Sequence, residues 1–335
     1  MRPLVTVIVP ARNEEKCIEA CIASILAQSV DGKLEVVVVD GRSSDRTAAL
    51  ARGAGAAVVD NPEQITPTAL NRGLAAARGR FVARLDAHSE MGPGYLRACL
   101  TALDEEGGAV NVGGWADVRG TGPWSAAVRS ALQSRLGTGN PRLWKKPPPD
   151  AGRQDVETVP FGCFPAVALR EAGGWNEALV RNQDFELNHR LRAGGGRVVF
   201  DPEVWFIYRP RESLSALFRQ YWTFGRWKAV VVLNDPGSLR PRQLAPLGLF
   251  ATLVGAVAPS PIRGIARFAL AAYGALVATA AAASEGGWRT APVLLLIHGA
   301  WGAGFLAELL QDGPSRNLKG ARGMPPIASG SGGEA

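Results

Sequence analysis

A chain of 335 residues and 35.3 kDa has room for one catalytic-sized domain with an appendage. Glycine (40) and proline (23) are frequent but without a collagen period, and the four cysteines have no metal-ligand spacing, which excludes a fibre, a disulfide scaffold and a zinc ribbon. The net charge of +7 comes from scattered residues with no basic stripe interleaved with aromatics, so nucleic acid is not expected as a partner, whereas an anionic substrate or a membrane surface fits.

The β-branched run 5–9, ended by Pro10, predicts a strand, and Ile18, Cys21, Ile22, Ile25 and Leu26 recur at helical spacing within 14–28. Residues 35–40 form an apolar strand, expected to be buried on both faces, that stops at Asp40. A turn over 41–45 leads to a helix over 46–52. A strand over 57–60, a helix over 67–77 and a strand over 81–85 follow, the last ending at Asp86-Ala-His88. This alternation implies a parallel sheet with helices on both faces, in which ligands bind beyond the carboxyl ends of the strands. Residues 10–14, Asp40 and Asp86 all lie at such ends. A dinucleotide loop is excluded because the Gly53/Gly55 segment lacks a third glycine and runs from helix to strand; no Walker sequence is present. Asp86 and His88 could instead bridge a divalent cation to a diphosphate, Mg²⁺ through oxygen or Mn²⁺ through the imidazole as well. The plain alternative is a turn cap beside a solvated histidine.

Farther along, Asp184 opens a helical segment over 185–193 and could equally serve as its N-cap. Between residues 244 and 310 only Arg263, Arg267, Glu285, Arg289 and Glu308 are charged, which marks a composition boundary near Gln243. The charge-free runs 243–262, 268–284 and 290–307 approach the ~20 residues needed to cross a bilayer. Prolines restrict the first to 244–258, which reads as re-entrant or interfacial. Two spans, 264–284 and 290–310, keep Arg240, Arg242, Arg263, Arg267, Arg316, Lys319 and Arg322 on the cytoplasmic side. With no apolar leader before the first strand, the catalytic part is expected in the cytoplasm of a multi-pass chain in the cell membrane. The Gly/Ser/Pro-rich tail reads as disordered. The expected division is thus a catalytic domain at 1–230, a membrane-associated helical region at 231–310 and a tail at 311–335.

In order along the chain, Val7-Ile-Val-Pro-Ala-Arg-Asn-Glu14, Val39-Asp-Gly-Arg-Ser-Ser-Asp-Arg-Thr47, Ala69-Leu-Asn-Arg-Gly73, Asp86-Ala-His88, Asn111-Val-Gly-Gly114, Val159-Pro-Phe-Gly-Cys-Phe164 and Asn182-Gln-Asp-Phe-Glu-Leu-Asn188 precede the aromatic segment 218–228. Over roughly residues 3–230 this pattern resembles the family 2 inverting glycosyltransferases of the GT-A fold, and more narrowly the succinoglycan-biosynthesis type of exopolysaccharide glycosyltransferase. The resemblance implies an α/β fold, a Rossmann-like mixed but mainly parallel sheet with helices on both faces, here followed by C-terminal transmembrane helices. It further implies nucleotide-sugar contacts from Pro10, Arg12, Asn13, Glu14, Asp40, Ser43, Asn71 and Asp86. Asp86 and His88 would hold Mg²⁺ or Mn²⁺, although His88 stands where the family usually has a second acid.

Asp184 would be the catalytic base, since an inverting transfer needs one carboxylate to take the acceptor hydroxyl proton. Phe161, Gly162 and Cys163 would floor the acceptor side, and Arg226 and Trp227 would face the acceptor or the diphosphate. Arg12, Arg42 and Arg84 flank strand ends, where each would meet either phosphate or solvent. The expected reaction moves a hexose from a nucleotide sugar, with UDP the expected carrier, to a lipid-linked saccharide in cell-surface or exopolysaccharide biosynthesis. The alternatives are glycosylation of a polyprenyl phosphate and a non-catalytic nucleotide-sugar-binding membrane subunit.

Overall fold

The computed structural model describes residues 2–139, 141–211, 213–259 and 262–311, so the expectation of a disordered tail falls outside the described residues. The first half alternates as read: β1 (Val5–Ala11), α1 (Ile18–Leu26), β2 (Leu34–Asp40), α2 (Thr47–Gly53), β3 (Ala57–Asp60), α3 (Thr66–Ala76) and β4 (Phe81–Arg84). Then come β5 (Ser89–Met91), α4 (Tyr95–Glu105), β6 (Ala109–Val118), α5 (Ser125–Gln133), α6 (Arg135–Thr138), β7 (Gln154–Asp155), β8 (Cys163–Pro165), α7 (Ala166–Glu171), α8 (Gln183–Ala193) and β9 (Arg197–Tyr208). Four helices close the described chain: α9 (Leu214–Asn234), α10 (Leu244–Gly255), α11 (Ile262–Ala282) and α12 (Thr290–Leu310).

The strands form one sheet in the order β3-β2-β1-β4-β8-β6-β9-β5, with β7 beside β9. β1 pairs in parallel with both β2 and β4, and β2 with β3, so the carboxyl ends of four strands share one edge. Beyond β4 the pairing reverses, since β8 runs antiparallel to β4 and β6. The sheet is therefore more evenly mixed than the mainly parallel one expected. Its antiparallel half escapes periodicity because β5 and β8 are only three residues long.

Two compact units emerge. Residues 2–116 and 147–207 make up the first. Its core joins Ile8, Val37 and Val39 of the parallel strands to Leu70 and Leu74 of α3, with Phe164, Trp175 and Leu187 from the second half. α3 lies close on the sheet at Gly73, where any side chain would run into Ile8 and Val39.

Residues 117–146 and 208–311 make up the second, helical unit. The boundary expected at residue 230 thus falls inside α9. Composition could not reveal this, because α5 and α6 read as soluble yet pack with the apolar C-terminal helices. Val128, Ala131 and Leu132 of α5 share a core with Val293, Leu294 and Ile297 of α12. α9 and α12 meet backbone to backbone, since side chains at Gly225 and Gly304 would strike the main chain of Trp301 and Trp222 respectively. α11 and α12 are long and apolar enough to cross a membrane, but half of α12 is buried within its own unit. These two helices coincide with the spans expected over 264–284 and 290–310. α10 occupies the segment expected to be interfacial.

Gly73→Leu should lower the thermal stability of the purified full chain. The gain in helix propensity is about 1 kcal/mol, whereas overpacking against two β-branched side chains on a sheet costs about 1–3 kcal/mol or more. An unchanged or raised melting temperature would contradict the close α3–sheet packing.

Candidate active site

The carboxyl edge of the parallel strands carries two interlocked loops. After β2, Asp40 accepts from Ser43, N–H to Oδ2 at 3.1 Å and Oγ–H to Oδ1 at 2.5 Å. Ser43 Oγ in turn accepts from the Asn13 N–H at 2.9 Å, and Asn13 Oδ1 accepts from the Ser44 N–H at 2.8 Å. Glu14 N–H donates to Thr47 Oγ1 at 2.7 Å. Asn13 and Arg42 both hold left-handed backbone, φ 55° and 54°, a conformation that costs an L-residue energy and persists where surrounding contacts enforce it. Pro10, Arg12, Asn13, Glu14, Asp40 and Ser43 are therefore brought together. Arg12 is exposed, and Arg42 faces Asp60 at 3.7 Å, both on the solvent side of this rim.

The loop after β1 also reaches the loop after β4, where His88 Nδ1 lies 3.2 Å from Glu14 Oε1. Among the described residues no group of three or more His, Cys, Asp and Glu side chains is placed to hold a metal. Asp86 and His88 fit a different arrangement, in which a hard cation takes one or two protein ligands and completes its shell with substrate phosphates and water.

The centre of the site is a charged group that the sequence reading placed against phosphate or solvent. Arg84, the last residue of β4, is buried and lies between two carboxylates. Its Nη2 donates to Asp86 Oδ1 at 2.9 Å and its Nη1 to Asp184 Oδ1. The guanidinium also stacks over the Phe161 ring, 5.5 Å from the centroid. Its position follows from register: Arg84 N–H donates to Gly162 O at 3.1 Å, so β4 and the approach to β8 run side by side. Phe161 (φ 60°) and Gly162 (φ 94°) turn sharply there. A side chain at Gly162 would collide with Asn111, whose Nδ2 donates to Asn188 Oδ1 at 2.7 Å. Asn188 passes the chain on to Thr158 Oγ1 at 2.8 Å, so β6, α8 and the segment before β8 are tied by buried amides.

Asp184 sits in the first turn of α8 and does not cap it; the N-cap is Asn182, with φ 63°. Four of the five non-glycine residues with positive φ among the described residues, Asn13, Arg42, Phe161 and Asn182, thus flank the loops after β1 and β2 and the carboxylate pair.

Burial pushes the Asp86 carboxyl up, but the Arg84 charge, helped by His88, outweighs it and holds the group below its ordinary 3.8. For Asp184 burial prevails over Arg84, with Asp86 adding like-charge repulsion, and the group ends above 3.8. Arg84 is held in its charged form by the two acids despite its burial. Two neighbouring acids with divergent proton affinities suit divergent roles, one remaining an anion and the other a proton acceptor.

Two of the expected contact residues, Asn71 and Arg226, spend their polar groups on other partners. Asn71 bridges α3 to the loop before α8: its Nδ2 donates to Trp175 O and Glu177 Oε1, while its Oδ1 accepts from the Trp175 N–H at 2.9 Å. Its amide is engaged in structure and not turned to a ligand. Arg226 and Trp227 belong to α9 of the helical unit, where Arg226 pairs with Glu308 at 2.7 Å and Gln311 at 3.0 Å. Cys163 is fully buried beneath Gly162. Arg84 was legible in part, because a charged residue on a buried strand demands a partner. A cavity of about 300 Å³ opens at the far end of α8 between Asp155, His189, Arg192 and Arg197, and no member of the acid cluster lines it.

Comparison with known proteins agrees with this geometry. The family described as Glycosyl transferase family 2 matches residues 6–172, spanning the loops after β1 and β2, Arg84, Asp86 and β8. The succinoglycan biosynthesis protein ExoA of Rhizobium meliloti (strain 1021) is 29% identical over 323 residues, covering 91% of this chain and 94% of its own. A dolichyl N-acetyl-alpha-D-glucosaminyl phosphate 3-beta-D-2,3-diacetamido-2,3-dideoxy-beta-D-glucuronosyltransferase of Methanococcus voltae is 22% identical over 68% of this chain and 74% of its own. Among solved structures, the mannosyltransferase PcManGT from Pyrobaculum calidifontis, in complex with GDP-Man and Mn²⁺, superposes with a TM-score of 0.63 at 22% identity, covering 92% of this chain and 88% of that one. The fold is GT-A, and the chain belongs to glycosyl transferase family 2.

Proposed function

We propose that this glycosyltransferase moves a hexose from a nucleotide sugar, with UDP as carrier, to a lipid-linked saccharide at the cytoplasmic face of a membrane, inverting the anomeric centre, as a step in cell-surface or exopolysaccharide assembly. The observation that carries the reading is the Asp86–Arg84–Asp184 triad at the carboxyl edge of the sheet. The relative named for succinoglycan biosynthesis and the one named for a dolichyl phosphate-linked substrate support the acceptor class.

Asp40, held by Ser43, would accept from the uracil imide, with Asn13 and Glu14 lining base and ribose; the bonds that join these loops support that reading. Asp86 and His88 would hold a divalent cation, which neutralises charge on the departing diphosphate. Asp184 takes the acceptor hydroxyl proton as the oxygen attacks the anomeric carbon from the side opposite the leaving group. Phe161, Gly162 and Cys163 would floor the acceptor side, with Asn111 packed against the Gly162 backbone to hold that turn.

Release of UDP from a panel of UDP-hexoses by membranes, with extraction of the lipid product, tests the reading; no transfer from any donor would overturn it. Asp184→Asn should lower kcat on the order of 10²-fold or more while donor binding persists, and near-normal turnover of the purified variant would remove Asp184 from the base role. Since the base must be ionised and its pKa is raised, the acid limb of kcat/KM should fall at a pH above 3.8, with activity lost below it. Chelation with EDTA should abolish transfer and added Mn²⁺ or Mg²⁺ restore it, while His88→Ala should raise the half-saturating metal concentration about tenfold or more; activity indifferent to chelation would refute the metal assignment.

A further inference from the structure

Two apolar helices of 21 residues joined by a short turn are each about 32 Å long, enough to cross a bilayer of about 30 Å and return. In such a hairpin the turn would lie a full membrane thickness from where α11 begins. The hydrogen bonds of the turn and of α12 conflict with that arrangement. At the turn, Glu285 pairs with Arg129 at 2.7 Å and the Gly286 N–H donates to Ser130 Oγ at 3.0 Å, both on α5. Arg289 donates to Pro123 O at 3.0 Å. Midway along α12, His298 Nε2 meets Leu136 O of α6 at 2.8 Å. At its far end Glu308 pairs with Arg226 of α9.

The segment running beside α12 cannot itself be in hydrocarbon, because residues 123–146 carry Arg129, Arg135, Arg142, Lys145 and Lys146. The turn therefore stays in the same compartment as α5, and α12 is an internal strut.

What remains open is one apolar face. Fourteen of the sixteen exposed large hydrophobic residues among those described belong to the helical unit. They include Val254 (70% exposed) on α10, Val257 (83%) just after it, and Ile265 (72%) and Phe268 (76%) on α11. Arg242, Arg263 and Arg267 flank them, also exposed. The charge is unevenly divided: residues 117–146 and 208–311 hold sixteen Lys and Arg against five Asp and Glu, a net of +11, whereas residues 1–116 and 147–207 hold eighteen against twenty-three, a net of −5. An apolar helical face bordered by arginines on a strongly cationic body matches the headgroup boundary of an anionic bilayer.

We propose that the helical unit binds an anionic lipid surface in the plane of one leaflet, with the exposed face of α10 and α11 immersed and α12 not crossing. This rests on the membrane reading above and replaces the two-span topology. The test introduces single cysteines at Trp288→Cys, in the turn, and at Lys145→Cys, in a full chain carrying Cys17→Ser, and labels spheroplasts with a membrane-impermeant maleimide before and after lysis. Both positions should react from the same side; reaction from opposite sides would restore the hairpin and overturn the proposal. Ile265→Glu combined with Phe268→Glu should weaken binding to phosphatidylglycerol-containing vesicles by about tenfold or more while the oligomeric mass of the chain is unchanged. Undiminished vesicle binding would overturn it, as would a change only in oligomeric mass, which would mark the face as a protein contact. UDP release separates the two readings: a released double variant that still turns over donor supports both, and failure of turnover in the parent chain sinks the enzymatic reading while the labelling still decides the topology.

Discussion

A buried guanidinium shared by two carboxylates organises this molecule. Arg84 has no route to water, so its charge depends on Asp86 and Asp184, and they depend on it. Removing one partner of such a group leaves an uncompensated buried charge, at a cost of about 3–5 kcal/mol. The arrangement also joins parts of the chain a hundred residues apart: β4 supplies the arginine, its following loop one acid, and the first turn of α8 the other. With one positive charge between two negative ones, the acids do not share it equally. Asp86 is drawn down and Asp184 is left with the higher proton affinity, a difference made by surroundings and not by residue type.

The parallel half of the sheet was legible because its strands are buried on both faces and read as continuous apolar runs, and because acids stand where those runs stop. Asp40 and Asp86 were found by that logic. Beyond β4, the strands β5, β7 and β8 are only two or three residues long and carry no such signal, and chemistry-bearing positions there are held by buried amides such as Asn111 and Asn188. Arg84 was noticed but aimed wrongly, since a strand sequence says that a residue is buried and not which distant helix brings its counter-charge. Asn71 misled for a related reason: its amide satisfies the backbone of Trp175, a demand created only when α3 and the loop before α8 come together.

Composition likewise located the apolar helices but could not assign their depth. Hydropathy registers that α12 avoids charge, and burial inside a helical unit produces the same pattern as burial in lipid. The glycines at 225 and 304 bring α9 and α12 into main-chain contact, a packing that helices adopt in water and in lipid alike. The cationic character of the whole chain resolves into a basic helical unit and an acidic catalytic one, so a single net charge concealed the feature with physical consequences.

The left-handed residues at the rim of the site set stability against function. Asn13, Arg42, Phe161 and Asn182 each hold a backbone shape that glycine would adopt freely. Selection for robustness alone would replace them, since relief of such strain is an accessible route to a more stable fold. Replacing them would cost more than a torsion, since Asn13 bonds Ser43 and Ser44 and Asn182 is the N-cap of the helix whose first turn carries Asp184. Laboratory evolution of this chain towards heat resistance would therefore be expected to accumulate changes in α3 and the outer helices, and to leave this rim alone for as long as transfer is also demanded.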